Sequence, residues 1–559
     1  MMFLFVGRLF YLQVIQHEDY VNQATSEQVK PLIIPAKRGL IYAMDGQNPV
    51  QLVMNQTVYT LFADPATVTD KQKILEITRR VAGGNLRPSI EKLLDRKETR
   101  YQILGTQLSR KQAELIKKEN LRGIGFQEVI QRVYPEGMLA SQTLGFVNAE
   151  GKGQYGVEGA LNDRLVGRDG LLKSVTDISG VPLTIGNKNI KVPAKNGDNI
   201  VLTIDRNIQA YSEKALKAGI ERSGADSGSV VVIDPQNGRV MAMANLPTFS
   251  PAEYTKVNDA ALFNNHVVSR PYEPGSDIKT FTMATGLDAG VIEPDSTYVN
   301  SDTITVEDRQ IGNALKGQTG TITMQTALNY SLNTGVVTVA MRLGDGKSIT
   351  LDARNKMYDY FHNRFGFGKL TGIEVAGEQA GVIISPNKLE GNAVRYSNMS
   401  FGQGMDLTMI QVASAFSSLV NGGIYYSPTV IRGTIDSSGK LQTAEQKTPR
   451  NGIITPETSK KIHEMIRTSR STFYSNQDRP GYDVGGKTGT SQTIENGKYI
   501  DNQTIGTYLG YGGDTKPRYV IMVEVSGKGK NLQGNKHAMP IFTDISNWMI
   551  DYLKLQPKG

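Results

Sequence analysis

What most constrains the fold of this 559-residue chain is the position of its strand-like runs. Val230-Val231-Val232-Ile233 is continuous and β-branched. Asp234-Pro235-Gln236-Asn237-Gly238 follows as a turn, and Arg239 to Ala244 returns as a second apolar run. β-Branched residues favour extended backbone, and Asp, Pro, Asn and Gly interrupt it, so two paired strands are predicted. A third strand, Tyr519 to Val525, comes only near the other end of the chain. It is preceded by Tyr508-Leu509-Gly510-Tyr511 and the turn Gly512-Gly513-Asp514. Between these runs the spacing is helical, as in Leu407 to Val420, which closes on Asn421-Gly422-Gly423. Ile541 to Leu553 is a terminal helix by its periodicity. Strands at both ends with helices between fit one antiparallel sheet covered by helices, an α+β fold.

From Ala36 to Lys195 the texture differs. Val58 to Phe62 alternates like a strand, and Lys71 to Val81 and Lys111 to Lys118 have helical spacing with charge on one face. Gly167-Arg168-Asp169-Gly170 breaks the run as a turn. This stretch reads as an elongated, partly extended α+β module with no catalytic constellation. The predicted division is therefore 1–15, 16–195 and 196–559. Residues 1–15 are mostly apolar, with Arg8 inside them and no small-residue cleavage site after them. They are shorter than the roughly 20 residues of a membrane span. They read as the outer half of a single membrane anchor, with the polar Gln16 to Tyr20 at the exit from the bilayer. A buried N-terminal helix is the alternative.

Composition narrows the chemistry. Cysteine is absent, which excludes disulfides, thiolate metal sites and a Cys nucleophile. The net charge of +8 is mild for this length, and no basic stripe concentrates it, so nucleic-acid binding is not expected. The five histidines, His17, His266, His362, His463 and His537, are dispersed without ligand spacing. No metal or other cofactor is expected. Met241, Met243, Met399 and Met405 read as core fillers.

Three short motifs carry the chemistry. The first is Ser276-Asp277-Ile278-Lys279 after Glu273-Pro274-Gly275. Pro-Gly breaks the chain, and Ile278, Phe281, Ala284 and Leu287 follow at helical spacing, so Ser276 opens a helix. Residues i and i+3 share a face, which brings the Ser276 hydroxyl and the Lys279 amine together. A serine needs a base to become a nucleophile, and a lysine is a base only when burial and a neighbouring cation depress its pKa. Ser89, Ser385 and Ser437 also have a lysine three residues on, so the spacing alone does not select Ser276. The second motif is Ser331-Leu332-Asn333, whose two polar side chains can face one cleft while Leu332 anchors behind. Ser385-Pro386-Asn387 has the same spacing. The third is Gly485-Gly486-Lys487-Thr488-Gly489-Thr490-Ser491. Its glycines allow a ligand backbone to approach, Lys487 is a fixed cation, and Thr488 and Thr490 offer hydroxyls to a carboxylate. The backbone amides of Ser276 and Thr490 could form an oxyanion hole. A P-loop competes for this motif, but its four-residue spacing is absent. A strand ending in a glycine turn is the structural alternative.

The motifs stand in the order Ser-x-x-Lys, Ser-x-Asn 55 residues later and Lys-Thr-Gly a further 156 residues on. That set occurs in β-lactamases and penicillin-binding proteins. The chain resembles a class B penicillin-binding protein, the monofunctional D,D-transpeptidase of peptidoglycan synthesis. Further stretches carry the resemblance along nearly its whole length: Arg38-Gly39-Leu40-Ile41-Tyr42 with Asp45-Gly46, Arg132-Val133-Tyr134-Pro135 with Leu144-Gly145-Phe146, Gly153-Gln154-Tyr155-Gly156-Val157-Glu158 with Leu165-Val166-Gly167, and Phe401-Gly402-Gln403-Gly404. Ala43-Met44 departs from the first of these boxes, where the family has a pair including Arg. Phe62-Ala63-Asp64-Pro65 resembles the division-type branch, similar to FtsI.

The resemblance implies a serine β-lactamase-like transpeptidase domain behind an N-terminal pedestal or dimerisation-type module. It implies that Ser276, deprotonated by Lys279, attacks the penultimate D-Ala of a D-Ala-D-Ala stem peptide. Ser331 would protonate the leaving D-Ala, and Asn333 would orient the donor amide. Lys487, Thr488, Gly489 and Thr490 would hold the terminal carboxylate. An amine of a neighbouring stem peptide would then take the acyl group, and β-lactams would acylate Ser276 in place of the donor. Also implied are single-pass placement in the cell membrane with the catalytic domain outside the cytoplasm, septal cell-wall synthesis, and partnership with a glycan polymerase and division proteins. Two other readings keep the same motifs: a β-lactamase or D,D-carboxypeptidase, and a β-lactam-binding sensor or scaffold. A bifunctional glycosyltransferase is disfavoured by the class B boxes.

Overall fold

The computed structural model describes residues 2–18, 29–175, 190–495 and 498–558. The chain packs as two units, Gln51–Gly137 and the remainder, Met1–Val50 with Met138–Gly559. At the start, helix α1 (Met2–Phe10) is 9 residues long and continues into one wide turn over Tyr11–Ile15. No helix among the described residues is long and apolar enough to cross a membrane. This corrects the expected single-pass placement: the described residues contain no such span. At 1.5 Å per residue α1 spans roughly 14 Å, about half of a bilayer's hydrocarbon core, and Arg8 lies within it.

In the larger unit, strand β1 (Ile41–Asp45) carries the box that starts at Arg38. Strand β2 (Asn48–Ala63) leads into the smaller unit. There the elements are α2 (Lys71–Ala82), β3 (Gln102–Leu108), α3 (Arg110–Lys118) and β4 (Ile124–Val133). β2 is the central strand, pairing antiparallel with β4 from Met54↔Val133 to Ala63↔Ile124 and with β3 on its other side. The helices begin where the sequence caps them. Asp70 accepts from the Lys73 amide, and Ser109 and Gln112 form a reciprocal capping box. Ile74, Ile77, Ala113 and Ile116 then bury against Tyr59, Leu61 and Leu104.

The larger unit continues with β5 (Asn199–Asp205), α4 (Arg206–Ser223), β6 (Ser227–Ile233) and β7 (Val240–Leu246). A helical middle follows: α5 (Lys279–Asp288), α6 (Met324–Asn329), α7 (Asn333–Arg342), α8 (Met409–Val420) and α9 (Pro456–Tyr474). It ends with β8 (Asp483–Glu495), β9 (Lys498–Gly513), β10 (Pro517–Ser526) and α10 (Met539–Tyr552). The strands form one five-stranded antiparallel sheet in the order β7-β6-β10-β9-β8. β6 lies beside β10, so the two ends of the unit meet in the middle of the sheet. α4 and α10 cover one face, where Leu216, Val230, Val232, Ile521, Val523, Phe542 and Ile545 form a core. α8 packs on the sheet as well, and Val231 and Met522 are fully buried. Burial on both faces explains why these strands read as continuous apolar runs rather than as alternating ones.

Two of the N-terminal boxes meet in this unit. The Arg38 guanidinium donates to the Glu158 carboxylate at 2.8 and 2.5 Å, both side chains being buried. A side chain at Gly153 would collide with the Glu158 carbonyl and with Arg38, so the glycine of that box is a requirement of close approach. β1 pairs in parallel with β5 next to this contact, Ile41↔Ile200.

Candidate active site

Pro274-Gly275 sets the first motif in place. Gly275 takes φ +64°, and a Cβ there would sit 2.8 Å from the Thr490 carbonyl of β8. Its amide donates to the Gly402 carbonyl at 2.9 Å, which docks the turn on the Phe401–Gly404 stretch. Gly275–Ile278 forms one 3₁₀ turn that runs into α5, so Ser276 stands half-buried one turn before Lys279. The helix is fixed from behind by Phe281, whose ring meets Phe365 and Phe367 at 5.2 and 5.0 Å. Ser331 lies between α6 and α7 with φ +56°, and the fully buried Leu332 plugs the core behind it.

Three motifs distant in sequence then converge on one hydroxyl. Lys279 Nζ donates to the Ser331 carbonyl at 2.6 Å and to Ser331 Oγ at 3.2 Å. Lys487 Nζ donates to the same Oγ at 2.9 Å, and to the Thr488 carbonyl and Oγ1 at 3.1 and 3.4 Å. Lys279 is only 1% exposed and Lys487 3%. Burial, then the neighbouring Lys487 charge, holds the Lys279 amine well below the usual lysine range. Burial also lowers Lys487, to about 8, against the attraction of Asp277, which works to keep it protonated. The arrangement therefore sets two buried amines, both depressed, against one hydroxyl. The three competing Ser-x-x-Lys lysines, Lys92, Lys388 and Lys440, are all exposed and have no such environment.

Other residues singled out in the sequence are placed as follows. Asn333 opens α7, and its Nδ2 donates to the Gly312 carbonyl at 2.8 Å. Thr488 is half-buried beside Lys487, whereas Thr490 is exposed and its Oγ1 accepts from the Gly534 amide at 3.2 Å. The Lys-Thr-Gly motif does not end its strand in a glycine turn; it lies in the middle of β8, at the edge of the sheet. A cavity of about 350 Å³ opens beside it, with Tyr330, Ser331, Phe473, Lys487, Thr488 and Tyr508 in its wall.

Two buried acids near the site escaped sequence reasoning. Glu273 Oε1 accepts from the Gly404 amide at 2.6 Å and from the Tyr499 hydroxyl at 3.1 Å. Asp277 is fully buried, and burial raises its carboxyl to about 7 against the Thr507 hydrogen bond and the Lys487 charge. The only signal was its place inside the first motif, where an acid in a first helical turn reads as ordinary dipole pairing.

A model of the penicillin-binding protein transpeptidase domain matches residues 228–547, more than half of the chain, and one of the penicillin-binding protein dimerisation domain matches 33–202. The chain belongs to the penicillin-binding protein family. It is 29% identical to stage V sporulation protein D of Bacillus subtilis, over 99% of this chain and 84% of that protein. It is 27% identical to the probable peptidoglycan D,D-transpeptidase PenA of Neisseria meningitidis, over 99% and 90%. Its fold is similar to that of penicillin-binding protein 2X from Streptococcus thermophilus, with a TM-score of 0.75 at 23% identity, covering 94% of this chain and 80% of that one. This penicillin-binding protein is thus a serine-type peptidoglycan D,D-transpeptidase, an α+β enzyme whose sheet-and-helix catalytic domain follows a dimerisation domain.

Proposed function

We propose that Ser276 is the nucleophile, Lys279 its base and Ser331 the proton carrier of this transpeptidase. The carrying observation is that buried Lys279 and Lys487 both donate to Ser331 Oγ. In the reaction so read, Ser276 Oγ bonds to the carbonyl carbon of the penultimate D-Ala and its proton passes to Lys279 Nζ. The amides of Ser276 and Thr490 receive the oxyanion. The carbon–nitrogen bond to the terminal D-Ala then breaks, and the leaving amine takes its proton through Ser331. An acceptor stem-peptide amine attacks the acyl-enzyme, forms the cross-link and returns Ser276 to its starting state. Lys487, Thr488, Gly489 and Thr490 hold the donor carboxylate, and Asn333 orients the donor amide. Among the described residues β8 pairs with a strand on one side only, and an extended peptide can add to such an edge.

The same reading makes β-lactams acylating agents of Ser276. It assigns residues 16–195 to a non-catalytic pedestal and 196–559 to the transpeptidase domain. The Phe62-Ala63-Asp64-Pro65 signature supports septal cell-wall synthesis beside a glycan polymerase and division proteins. The test is labelling of the full chain with a fluorescent penicillin, followed by mapping of the modified peptide. A stable adduct on Ser276, lost in Ser276→Ala, is the expected result. An adduct elsewhere overturns the assignment, and rapid release of the drug points instead to acyl transfer to water.

A further inference from the structure

The first motif contains an ionisable group that the reaction above does not use. Asp277 Oδ2 accepts from the Thr507 hydroxyl of β9 at 2.7 Å. A Cβ built on Gly489 would lie 2.8 Å from that same oxygen and 2.1 Å from Thr507 Oγ1. Gly489 and Thr507 are cross-strand partners, so the carboxylate lies on the inner side of the Lys-Thr-Gly strand, with the absent side chain of Gly489 making room for it. Asp277 is 0% exposed, and its Oδ1 has no hydrogen-bond partner among the described residues. A buried carboxylate with an unmatched oxygen persists where a nearby cation offsets its desolvation.

The surroundings identify that cation. On its own helix the titratable neighbour is Lys279, which responds to Lys487. From β8 comes Lys487, the charge that acts on Asp277. From the preceding segment comes the buried Tyr272, which feels both Asp277 and Glu524 of β10. Glu524 has Arg270 at 3.9 Å. Glu273 turns away, to the Gly404 amide and Tyr499. Lys487 and Gly489 stand two residues apart on β8 and so on one face of it, which puts the Lys487 side chain on the side of the strand where Asp277 lies. With Lys279 neutral, an ammonium at Lys487 and a carboxylate at Asp277 would sum to no net buried charge. Without the carboxylate, the ammonium at 487 would be buried with nothing to balance it.

We infer that Asp277 is a positioning residue for transpeptidation: its carboxylate, seated under Gly489, is the counter-charge that keeps Lys487 protonated while Lys279 stays neutral, and it docks the nucleophile's turn on strand β8. This rests on the roles proposed above for Ser276, Lys279 and Lys487. The attraction of Asp277 raises Lys487 against its burial, so removing it lets Lys487 lose its proton at lower pH.

The test is the pH dependence of acylation of the full chain by a fluorescent penicillin, with Asp277→Asn and Thr507→Val beside the parent. Asparagine keeps an acceptor for Thr507 and removes only the charge. Its alkaline limb is expected to move down by about one pH unit or more, with a loss of roughly fivefold or greater at pH 8 and little change at pH 6. Thr507→Val leaves the charge but withdraws the hydrogen bond that favours it, so the limb moves the same way by less. This second variant carries the test should Asp277→Asn fail to fold. A rate lowered equally at every pH in both variants, with the limb unmoved, overturns the inference and leaves Asp277 a packing residue. That result with the adduct still on Ser276 sinks this inference alone, whereas an adduct elsewhere sinks the proposed site itself.

Discussion

Removing the Ser331 hydroxyl tests the site most directly, because two amines share it. In Ser331→Ala, Lys487 Nζ loses its 2.9 Å acceptor and keeps the Thr488 carbonyl at 3.1 Å. Lys279 Nζ loses its 3.2 Å contact and keeps the Ser331 carbonyl at 2.6 Å. Neither lysine is set adrift, so the geometry of Ser276 and Lys279 should survive. What disappears is the path of the proton to the leaving group. A positioned proton carrier contributes about two to four powers of ten in rate, or about 3–5 kcal/mol of barrier. The assay is the second-order rate of acylation by a fluorescent penicillin, read beside thermal unfolding. Ser331→Gly separates the hydroxyl from the backbone. Its φ of +56° suits glycine, so this variant should be about 1 kcal/mol more stable than Ser331→Ala and equally slow. A Ser331→Ala enzyme within tenfold of the parent rate would refute the proton path through this residue.

Two further outcomes follow from the same structure. Acylation needs Lys279 neutral and Lys487 charged, so the rate should rise with pH as Lys279 gives up its proton at its depressed pKa, and fall as Lys487 gives up its own near pH 8. A rate that climbs steadily from pH 8 to 10, as an ordinary lysine base would give, contradicts the assignment. In the N-terminal boxes, Arg38→Ala leaves the buried Glu158 without its guanidinium and should cost about 3–5 kcal/mol in a denaturant melt. The double variant Arg38→Met, Glu158→Leu should recover much of that loss, and failure to recover any would assign the cost to packing instead.

Local rules carried much of this protein. The strand pair on either side of Asp234–Gly238 and the helix opened by Pro274-Gly275 depend on residues close in sequence, and the sequence alone places them. Spacing of i to i+3 was enough to set Ser276 one turn before Lys279. It was not enough to distinguish Lys279 from Lys92, Lys388 or Lys440, because what separates them is burial, and burial is made by distant parts of the chain. The residues of the second and third motifs were legible, but their convergence on Ser331 Oγ is a tertiary fact. The expected single-pass placement is the opposite case, since no helix among the described residues is long and apolar enough to cross a bilayer.

The sequence by itself determined the identity and order of the three motifs, because residue chemistry and short-range backbone preference reside in neighbouring residues. Only the tertiary structure decided their protonation and their pairing. A lysine's hold on its proton weakens when the fold takes it out of water beside a second cation, and a buried aspartate fits where a glycine on another strand leaves it room. Desolvation and charge coupling depend on everything within a few ångströms, whatever its distance along the chain.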